Sequence, residues 1–502
     1  MKTMPSVARY NHRVNLPGFR SLPCLLLTFF SLVLLISCSA PQPRRLAITH
    51  VTVIDVTGAP PQPDSTVVIA DSRITAVGPS SSLHIPGGTR VIDAPGKFLI
   101  PGLADMHVHL TGAGEPIGSR EFILPLLIAN GITTVRDMGG SVVLLKQLRQ
   151  EIASGERIGP QIFLTGPYLD GDPPYFQPSI VVRNTQDAIA AVQQLKSDGV
   201  DFIKVQSRLQ PAAYFAIADA SRHTGIRYVG HVPDAISARA ASAAGQSSIE
   251  HLTGVLLACS TREDELRRRQ LAAPSPYGSV NQSLERLRIW QQDLLDSHSD
   301  ERAAQLFQTF VANHTWQVPT FPLLVHLAFL TPETDLANDS RMKYVPAGVR
   351  RIWDAGRRES LANQGTAEFQ MRRELVKRSL STFKQMYVAG VPAMAGTDTT
   401  APNVFPGFGL QEDLNYFVQA GLKPLEALQA ATVKPAEFLG RAAEQGTITP
   451  GKRADLVLLN ANPLDDIRNA QKIDAVIVNG KLLNRGDLDA LLAKVVAFAA
   501  SH

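Results

Sequence analysis

The central part of the chain alternates short apolar segments with longer segments of helical pattern. Eight apolar segments occur between residues 99 and 446, and helical segments such as 185–197 and 212–224 separate most of them. Strands joined by helices pair in parallel, because the connection has to return to the starting edge of the sheet. Eight such units predict an α/β fold, a closed (β/α)8 TIM barrel with its site at the C-terminal strand ends. The segments begin at Gly102, Gly131, Gln161, Phe202, Tyr228, Ser248, Gln317 and Pro392.

Both ends of the chain outside this region are rich in β-forming residues. Near the N-terminus, 47–54 and 66–77 alternate β-branched and polar residues, with Asp71-Ser72 as a hairpin turn. Near the C-terminus, 454–459, 473–478 and 481–483 follow the same pattern, with a turn at Asn479-Gly480. We expect one small sheet domain assembled from both termini, residues 47–98 and 447–490, beside a barrel of residues 99–446.

Two connections are longer than a crossover helix requires. Residues 261–313 and 331–387 are charged and helix-forming. They predict helical insertions near the barrel mouth, with the charge runs as solvated helix faces.

The N-terminal 37 residues have the organisation of an export signal. Four basic residues and no acidic residue precede the apolar run from Leu25 to Ile36, and Ser37-Cys38 follows. The run is shorter than the about 20 residues that span a bilayer. It resembles the lipobox of bacterial lipoproteins, which implies a signal peptide over 1–37, a lipid on Cys38 and a tether over 38–46. Because Ser39 follows the cysteine, we expect an outer-membrane anchor facing the periplasm; an uncleaved anchor helix is the alternative.

The net charge does not indicate a polyanionic partner. The chain has 49 Lys and Arg against 45 Asp and Glu, and four of the basic residues lie within 1–37. The remaining chain is formally neutral, so the electrostatic basis for nucleic-acid binding is lost. We therefore expect a small-molecule substrate and no nucleic acid.

Polar residues that can bind metals occur at the ends of the predicted barrel strands. His107 and His109 are two residues apart, so they share one face of a strand and can bind the same ion. Each position taken alone fits an ordinary buried or surface residue. A charged ammonium inside an apolar strand is energetically costly. A lysine in such a place is therefore expected to be uncharged, paired with an anion or chemically modified. Four further positions end strands in the same way: Lys204, His231, His251 and Asp398.

This set of residues resembles the metal constellation of the amidohydrolase superfamily, in its binuclear branch with a carboxylated lysine. The resemblance covers roughly residues 47–484 and is strongest to prolidase-like dipeptidases and imidazolonepropionase-related proteins. It implies that the terminal β segments form a small β-sandwich. The matching motifs span 101–109, 131–137, 420–432 and 446–459.

The resemblance also implies a role for each residue. His107, His109 and Asp398 would bind a more buried divalent ion, and His231 and His251 a more exposed one. Lys204, carrying a carbamate derived from CO2, would bridge the two ions together with a hydroxide. Asp398 would carry the proton to the leaving nitrogen. Zinc is the expected metal.

The predicted function is hydrolysis of an amide-type C–N bond in a dipeptide, an N-acyl amino acid or a cyclic amide. The alternatives are a single-metal deaminase of the same superfamily and a non-catalytic surface binding lipoprotein. Lys204 argues against the deaminase, whose mechanism needs no bridging lysine. Tyr168 and Tyr228 can offer hydroxyls, although Tyr228 is three residues before His231 and is expected to face the other side of the barrel wall. The sequence leaves open whether the protein forms a homo-oligomer.

Overall fold

The computed structural model describes residues 45–502 except 112–117, 273–288, 332–333, 335–337 and 362–364. All described residues belong to one compact unit, Pro43–His502. Cys38 and the predicted signal peptide lie outside the described residues. The first strand already begins at Arg45, so Arg45 and Leu46, expected in the tether, pair with the second strand instead. Among the described helices, none combines the length and apolar character needed to cross a membrane.

The strands are, in chain order, β1 Arg45–Val53, β2 Gln62–Ala70, β3 Arg73–Pro79, β4 Arg90–Asp93, β5 Phe98–Pro101, β6 Leu103–Val108, β7 Ile132–Asp137, β8 Gln161–Leu164, β9 Tyr168–Asp170, β10 Ser179–Val181, β11 Phe202–Val205, β12 Arg227–Gly230, β13 Ser248–Glu250, β14 Trp316–Val318, β15 Leu456–Leu459, β16 Ile473–Val478 and β17 Lys481–Leu483.

One sheet combines strands from both ends of the chain. Its order is β17-β16-β15-β5-β1-β2-β3, with β4 paired to β1. Strand β15 joins the two ends by pairing antiparallel with β5, Leu456 opposite Pro101 and Leu458 opposite Leu99. Alternate residues of these strands, including Ile48, Val67 and Ile477, form a core of their own. The expected β-rich domain built from both termini is present.

Strands β6 to β14 and a final extended segment close a barrel. Parallel pairing runs from β6 through β7 to β8, and from β11 through β12 and β13 to β14. The Asp201 amide donates to the Leu164 carbonyl at 2.8 Å and joins the two groups. The segment 391–398 completes the ring: the Met394 amide donates to Gln317 at 2.9 Å, and the Met106 amide donates to Ala395 at 3.0 Å. The predicted fold class is therefore confirmed.

The barrel interior below the strand ends is filled by side chains. Phe163, Phe202, Val229, Met394 and Phe438 pack there as one buried cluster. Because this layer occupies the barrel axis, it leaves no channel, and polar chemistry is confined to the C-terminal face.

The helices are α1 Leu124–Ala129, α2 Val142–Ala153, α3 Thr185–Ser197, α4 Pro211–Thr224, α5 Ala238–Ala243, α6 Val255–Ala258, α7 Glu263–Ala272, α8 Asp300–Ala312, α9 Phe321–Phe329, α10 Ala347–Leu361, α11 Thr366–Val388, α12 Phe408–Gln419, α13 Pro424–Ala430, α14 Val433–Phe438 and α15 Arg485–Ser501; residues 289–296 are also helical. Short helical turns span Ser119–Ile123, Ser340–Tyr344 and Ile467–Gln471.

Each of the two long connections ends in the helix that leads to the next barrel strand. Helix α8 precedes β14, and α11 precedes the final segment 391–398. The additional length lies upstream of these helices, in α7 with 289–296 and in α10. The described residues of both insertions are largely helical, and part of each predicted range belongs to the regular barrel.

Candidate metal centre

Buried carboxylates shape the backbone that presents His107 and His109. Asp105 accepts hydrogen bonds from the His107 amide at 3.2 Å and the Thr397 hydroxyl at 2.7 Å, which connects the first strand to the last. Asp137 accepts from the Leu110 amide at 2.7 Å. Burial raises the pKa of Asp105 to about 7 and that of Asp137 to about 6. These acids therefore act as internal supports of the strand ends.

The four predicted histidines form a continuous row of rings at the C-terminal face. Ring centroids are 5.3 Å apart for His107 and His109, 4.6 Å for His107 and His251, and 4.9 Å for His231 and His251. Asp398 adjoins the row: its Oδ1 lies 3.0 Å from His109 Nε2 and 3.4 Å from His107 Nε2. One ligand atom each from His107, His251 and Asp398 lies within 4.8 Å of the others.

The first pair of histidines, His107 and His109, directs each Nδ1 away from the place where the ligand atoms of the site come together. His107 Nδ1 lies 2.9 Å from Glu250 Oε2, and His109 Nδ1 lies 3.2 Å from the Gly139 carbonyl. Both partners are acceptors, so in the tautomer with the proton on Nδ1 each Nε2 offers its lone pair on the side of Asp398. The first pair can therefore bind an ion through Nε2.

In the second pair of histidines, His231 and His251, hydroxyl groups lie next to each Nδ1. Thr320 Oγ1 lies 2.6 Å from His251 Nδ1 and donates its own proton to the Pro319 carbonyl at 2.8 Å. Ser207 Oγ lies 2.9 Å from His231 Nδ1 and donates to Gln206. When each hydroxyl donates to the neighbouring oxygen, it accepts from Nδ1, and these histidines then also leave Nε2 free.

Burial favours the neutral form of His107, His231 and His251; burial also lowers the pKa of His109, but the hydrogen bond to Asp398 raises it above its usual value. Burial lowers the pKa of His107 and of His231 well below the usual range, and that of His251 to about 4. Although burial raises it, the pKa of Asp398 is held well below its usual range by His107 and His109. Neutral imidazoles and an ionised carboxylate are the forms that bind divalent ions.

Lys204 lies at the same end of the barrel with its side chain 1% exposed. Burial lowers the pKa of its amine to about 8. Among the ion pairs of the described residues, none includes Lys204. A Cβ on Gly230 of the neighbouring strand would lie 2.9 Å from Lys204 Cδ, so glycine makes room for the lysine. Such an environment makes loss of the proton easier than for a solvent-exposed lysine, and the neutral amine is the form that can be chemically modified.

Two residues behind the row were not singled out from the sequence. Glu250 and Arg136 are fully buried, and Arg136 Nη2 lies 3.0 Å from both Glu250 oxygens. The arginine holds the carboxylate that in turn orients His107. The only sequence signal is that both charged residues lie inside apolar strand segments, directly before Asp137 and His251.

The structure separates the two tyrosine candidates. The Tyr168 hydroxyl lies 3.3 Å from His109 Nδ1, and a Cβ on Gly139 would come within 2.3 Å of its ring. The Tyr228 ring packs edge-on against Tyr214, with centroids 5.9 Å apart. Tyr168 is thus part of the site, and Tyr228 belongs to the packing between β12 and α4.

The donor set fits divalent metal ions. Imidazole nitrogens with a carboxylate oxygen suit zinc and related ions, and here the imidazoles are oriented by second partners, as in characterised metal sites. All six residues expected at the centre therefore lie at one face of the barrel: His107, His109, Lys204, His231, His251 and Asp398.

Comparison with known proteins finds similarity to amidohydrolase-family proteins over part of the chain. Residues 310–483 match the amidohydrolase family model. An imidazolonepropionase of Shouchella clausii is 31% identical over 156 residues, 30% of this chain and 32% of that one. An adenine deaminase of Paracoccus denitrificans is 38% identical over 74 residues, 14% of this chain and 12% of that one.

A solved structure extends this amidohydrolase likeness to the whole fold. A presumed prolidase from Bifidobacterium longum matches 91% of this chain and 100% of its own, with a TM-score of 0.65 and 25% identity. The chain spans about a third or less of the length of the two curated relatives described above. Activity and substrate are therefore matters of proposal.

Proposed function

We propose that the protein is a metal-dependent hydrolase of amide-type C–N bonds in a dipeptide, an N-acyl amino acid or a cyclic amide. The observation that carries this proposal is the set of four imidazoles with every Nδ1 committed, next to Asp398 and a buried lysine. The prolidase and imidazolonepropionase relatives support the same class of bond.

The donors divide between two ions. His107, His109 and Asp398 would hold one, His231 and His251 the other, and Lys204, carboxylated by CO2, would be shared. Bound divalent ions, with zinc expected, would supply a Lewis acid and lower the pKa of a water to near neutrality. A carbamate on Lys204 replaces a buried ammonium by an anion, which suits a site of two cations.

The chain's own acid–base group is Asp398. Its Oδ1 adjoins both histidines of the first pair, and its side chain is 14% exposed, so it can reach substrate. We propose that this carboxylate takes a proton from the attacking water and delivers it to the leaving nitrogen. Glu250 holds the His107 ring, and His107 in turn keeps the Asp398 carboxylate in position during this transfer.

A single-metal deaminase is the second candidate. It is favoured by the compact three-donor group His107, His251 and Asp398, which could serve one ion. The adenine deaminase relative has this activity in its name. In this case Lys204 would bind no metal.

The test uses the purified full-length protein. Metal content per chain is measured first, followed by a screen of N-acyl amino acids, dipeptides, lactones, cyclic amides and adenine. Two ions with amide hydrolysis are expected. One ion with ammonia release from adenine would favour the deaminase, and metal binding without any turnover would favour a binding lipoprotein.

We also propose that the protein is a lipoprotein anchored through Cys38 and facing the periplasm. The support is the arrangement of charge, apolar run and cysteine in the N-terminal sequence. Cys38→Ser should leave the precursor unprocessed and change its partitioning into detergent. A mature form of unchanged mass without lipid, with unchanged partitioning, would contradict the anchor.

A further inference from the structure

A cavity of about 210 Å3 adjoins the second pair of histidines. His251 and Ser207 form its inner wall, and helix α7 with Leu294 closes it from outside. Small-molecule sites usually measure about 300 to 1,000 Å3. This cavity is therefore large enough for one substituent of a substrate whose scissile bond lies at the metal centre.

Most of the cavity wall is apolar. The segments 232–236 and 251–257 supply the larger part of it, and the first helical insertion supplies the outer part. Leu257 and Leu294 are 5% and 6% exposed and share a small core with Leu266, separate from the barrel core. Leu324 of α9 lines the cavity from the side of the barrel. An aliphatic side chain placed here would replace water against these groups.

One carboxylate in the wall, Asp234, forms no direct ion pair among the described residues, although the guanidinium groups of Arg208 and Arg267 are near enough to lower its pKa against the effect of burial. Asp234 accepts a hydrogen bond from Gln270 Nε2 at 2.8 Å. The nearby Arg267 guanidinium is engaged elsewhere: it donates to the Ile236 carbonyl at 2.6 Å and pairs with Glu263 at 2.5 Å. Burial raises the pKa of Asp234 to about 6, so the group is still mostly ionised at neutral pH. A carboxylate in this position favours a cation in the cavity.

We propose that this cavity is the subsite for the amino-terminal residue of a dipeptide-like substrate, with an aliphatic side chain against Leu257 and Leu294 and the free ammonium at Asp234. The assignment rests on the proposed amide hydrolysis and narrows its substrate class. It also gives the first insertion a function, since α7 supplies the outer wall.

The test compares Leu-Ala with N-acetyl-Leu-Ala on the metal-loaded, full-length protein. The wild type should cleave Leu-Ala with at least tenfold higher kcat/KM. Asp234→Asn keeps the bond from Gln270 but removes the charge, so kcat/KM for Leu-Ala should fall about 10- to 100-fold, while N-acetyl-Leu-Ala changes little. Asp219→Asn, on the outer face of α4, is the matched control.

A second variant tests the aliphatic part of the subsite. Leu324→Trp fills the cavity and should reduce kcat/KM for Leu-Ala at least tenfold relative to Gly-Ala. Leu271→Trp is the control, since Leu271 is 52% exposed on α7. If circular dichroism shows that Asp234→Asn is unfolded, the Leu324→Trp comparison decides.

Calorimetric titration with leucine and with N-acetylleucine separates this subsite from the proposed function. Leucine should bind more tightly to the wild type, and the difference should vanish in Asp234→Asn. Leucine binding without hydrolysis of any amide would contradict the hydrolase and leave the subsite standing. Hydrolysis with equal rates for free and acetylated substrates, unchanged in both variants, would overturn the subsite alone.

Discussion

The two pairs of histidines at the barrel face are held by chemically different partners. The first pair relies on a carboxylate and a backbone carbonyl, and the carboxylate is itself fixed by a fully buried arginine. The second pair relies on two hydroxyls, those of Ser207 and Thr320. A charged acceptor makes an imidazole more basic and holds its ring more firmly than a hydroxyl does. The first pair should therefore keep its ion longer when metal is withdrawn.

Asp398 adjoins both pairs, so its replacement should have the largest effect. Asp398→Asn keeps an oxygen near the histidines but cannot accept a proton. We expect kcat to fall about 10²- to 10⁴-fold while much of the metal remains, as for the loss of a general base. Steady-state kinetics with metal analysis of the same sample measures both. Thr400→Ala, two residues further along, should be close to wild type. Near-normal turnover at full metal occupancy would show that another group, with Tyr168 and His231 the next candidates, carries the proton.

Lys204→Ala should have the next largest effect and act mainly on the second pair. Without the shared ligand, we expect loss of one ion and a fall in activity of at least about 100-fold, because even the loss of a residue that only orients a ligand costs about 10- to 100-fold. Small carboxylates added to the buffer should restore part of both. Lys196→Ala is the control, because Lys196 is exposed on α3. A variant with two ions and full activity would rule out the binuclear assignment and favour the single-metal deaminase.

Glu250→Gln tests the partner of the first pair. The amide keeps the shape but loses the charge, so metal affinity should fall about 10- to 100-fold. The Arg136 guanidinium would lose its counter-charge, and the free energy of unfolding should drop by about 3 kcal/mol. Competition with a chelator and denaturant titration measure the two quantities. Ser248→Ala removes the hydrogen bond donated to Glu250 and the one accepted from Arg136 Nη1 but keeps the charge pair, so it should cost about 2 kcal/mol.

Thr320→Val should have the smallest effect. It removes the hydroxyl that accepts from His251 and preserves the side-chain shape, so we expect less than about a tenfold loss of affinity, confined to one ion. Chelator competition under the same conditions allows direct comparison with Glu250→Gln. Equal losses in the two variants would mean that the two pairs do not differ in the way their partners suggest.

Local patterns were sufficient to predict the strand ends and the ligand candidates. His107 and His109 follow from the period of a strand, and Lys204, His231 and His251 from their place at the ends of apolar segments. Long-range partners could not be predicted in this way. Glu250 lies 143 residues from His107, and Thr320 lies 69 residues from His251. These contacts depend on the relative register of strands, which a single sequence does not specify.

The strand period already predicts that Tyr228 points away from the site, and its ring packs against Tyr214. Only the tertiary structure shows that the turn after β8 brings the Tyr168 hydroxyl to His109. From the sequence, the two long connections were predicted to be helical, but no function could be predicted for them. Packing of α7 over the loop after β13 turned the first of them into a cavity wall beside His251.

By itself the sequence determined the alternation of strands and helices, the sheet shared by both termini and the face on which the candidate ligands lie, because these follow from side-chain period and residue type. Only the tertiary structure decided which nitrogen of each histidine is free, which carboxylates are buried behind them and where a substrate side chain can enter. Those features arise where residues from separate strands meet, and the balance of burial, hydrogen bonding and charge exists only after the barrel has closed.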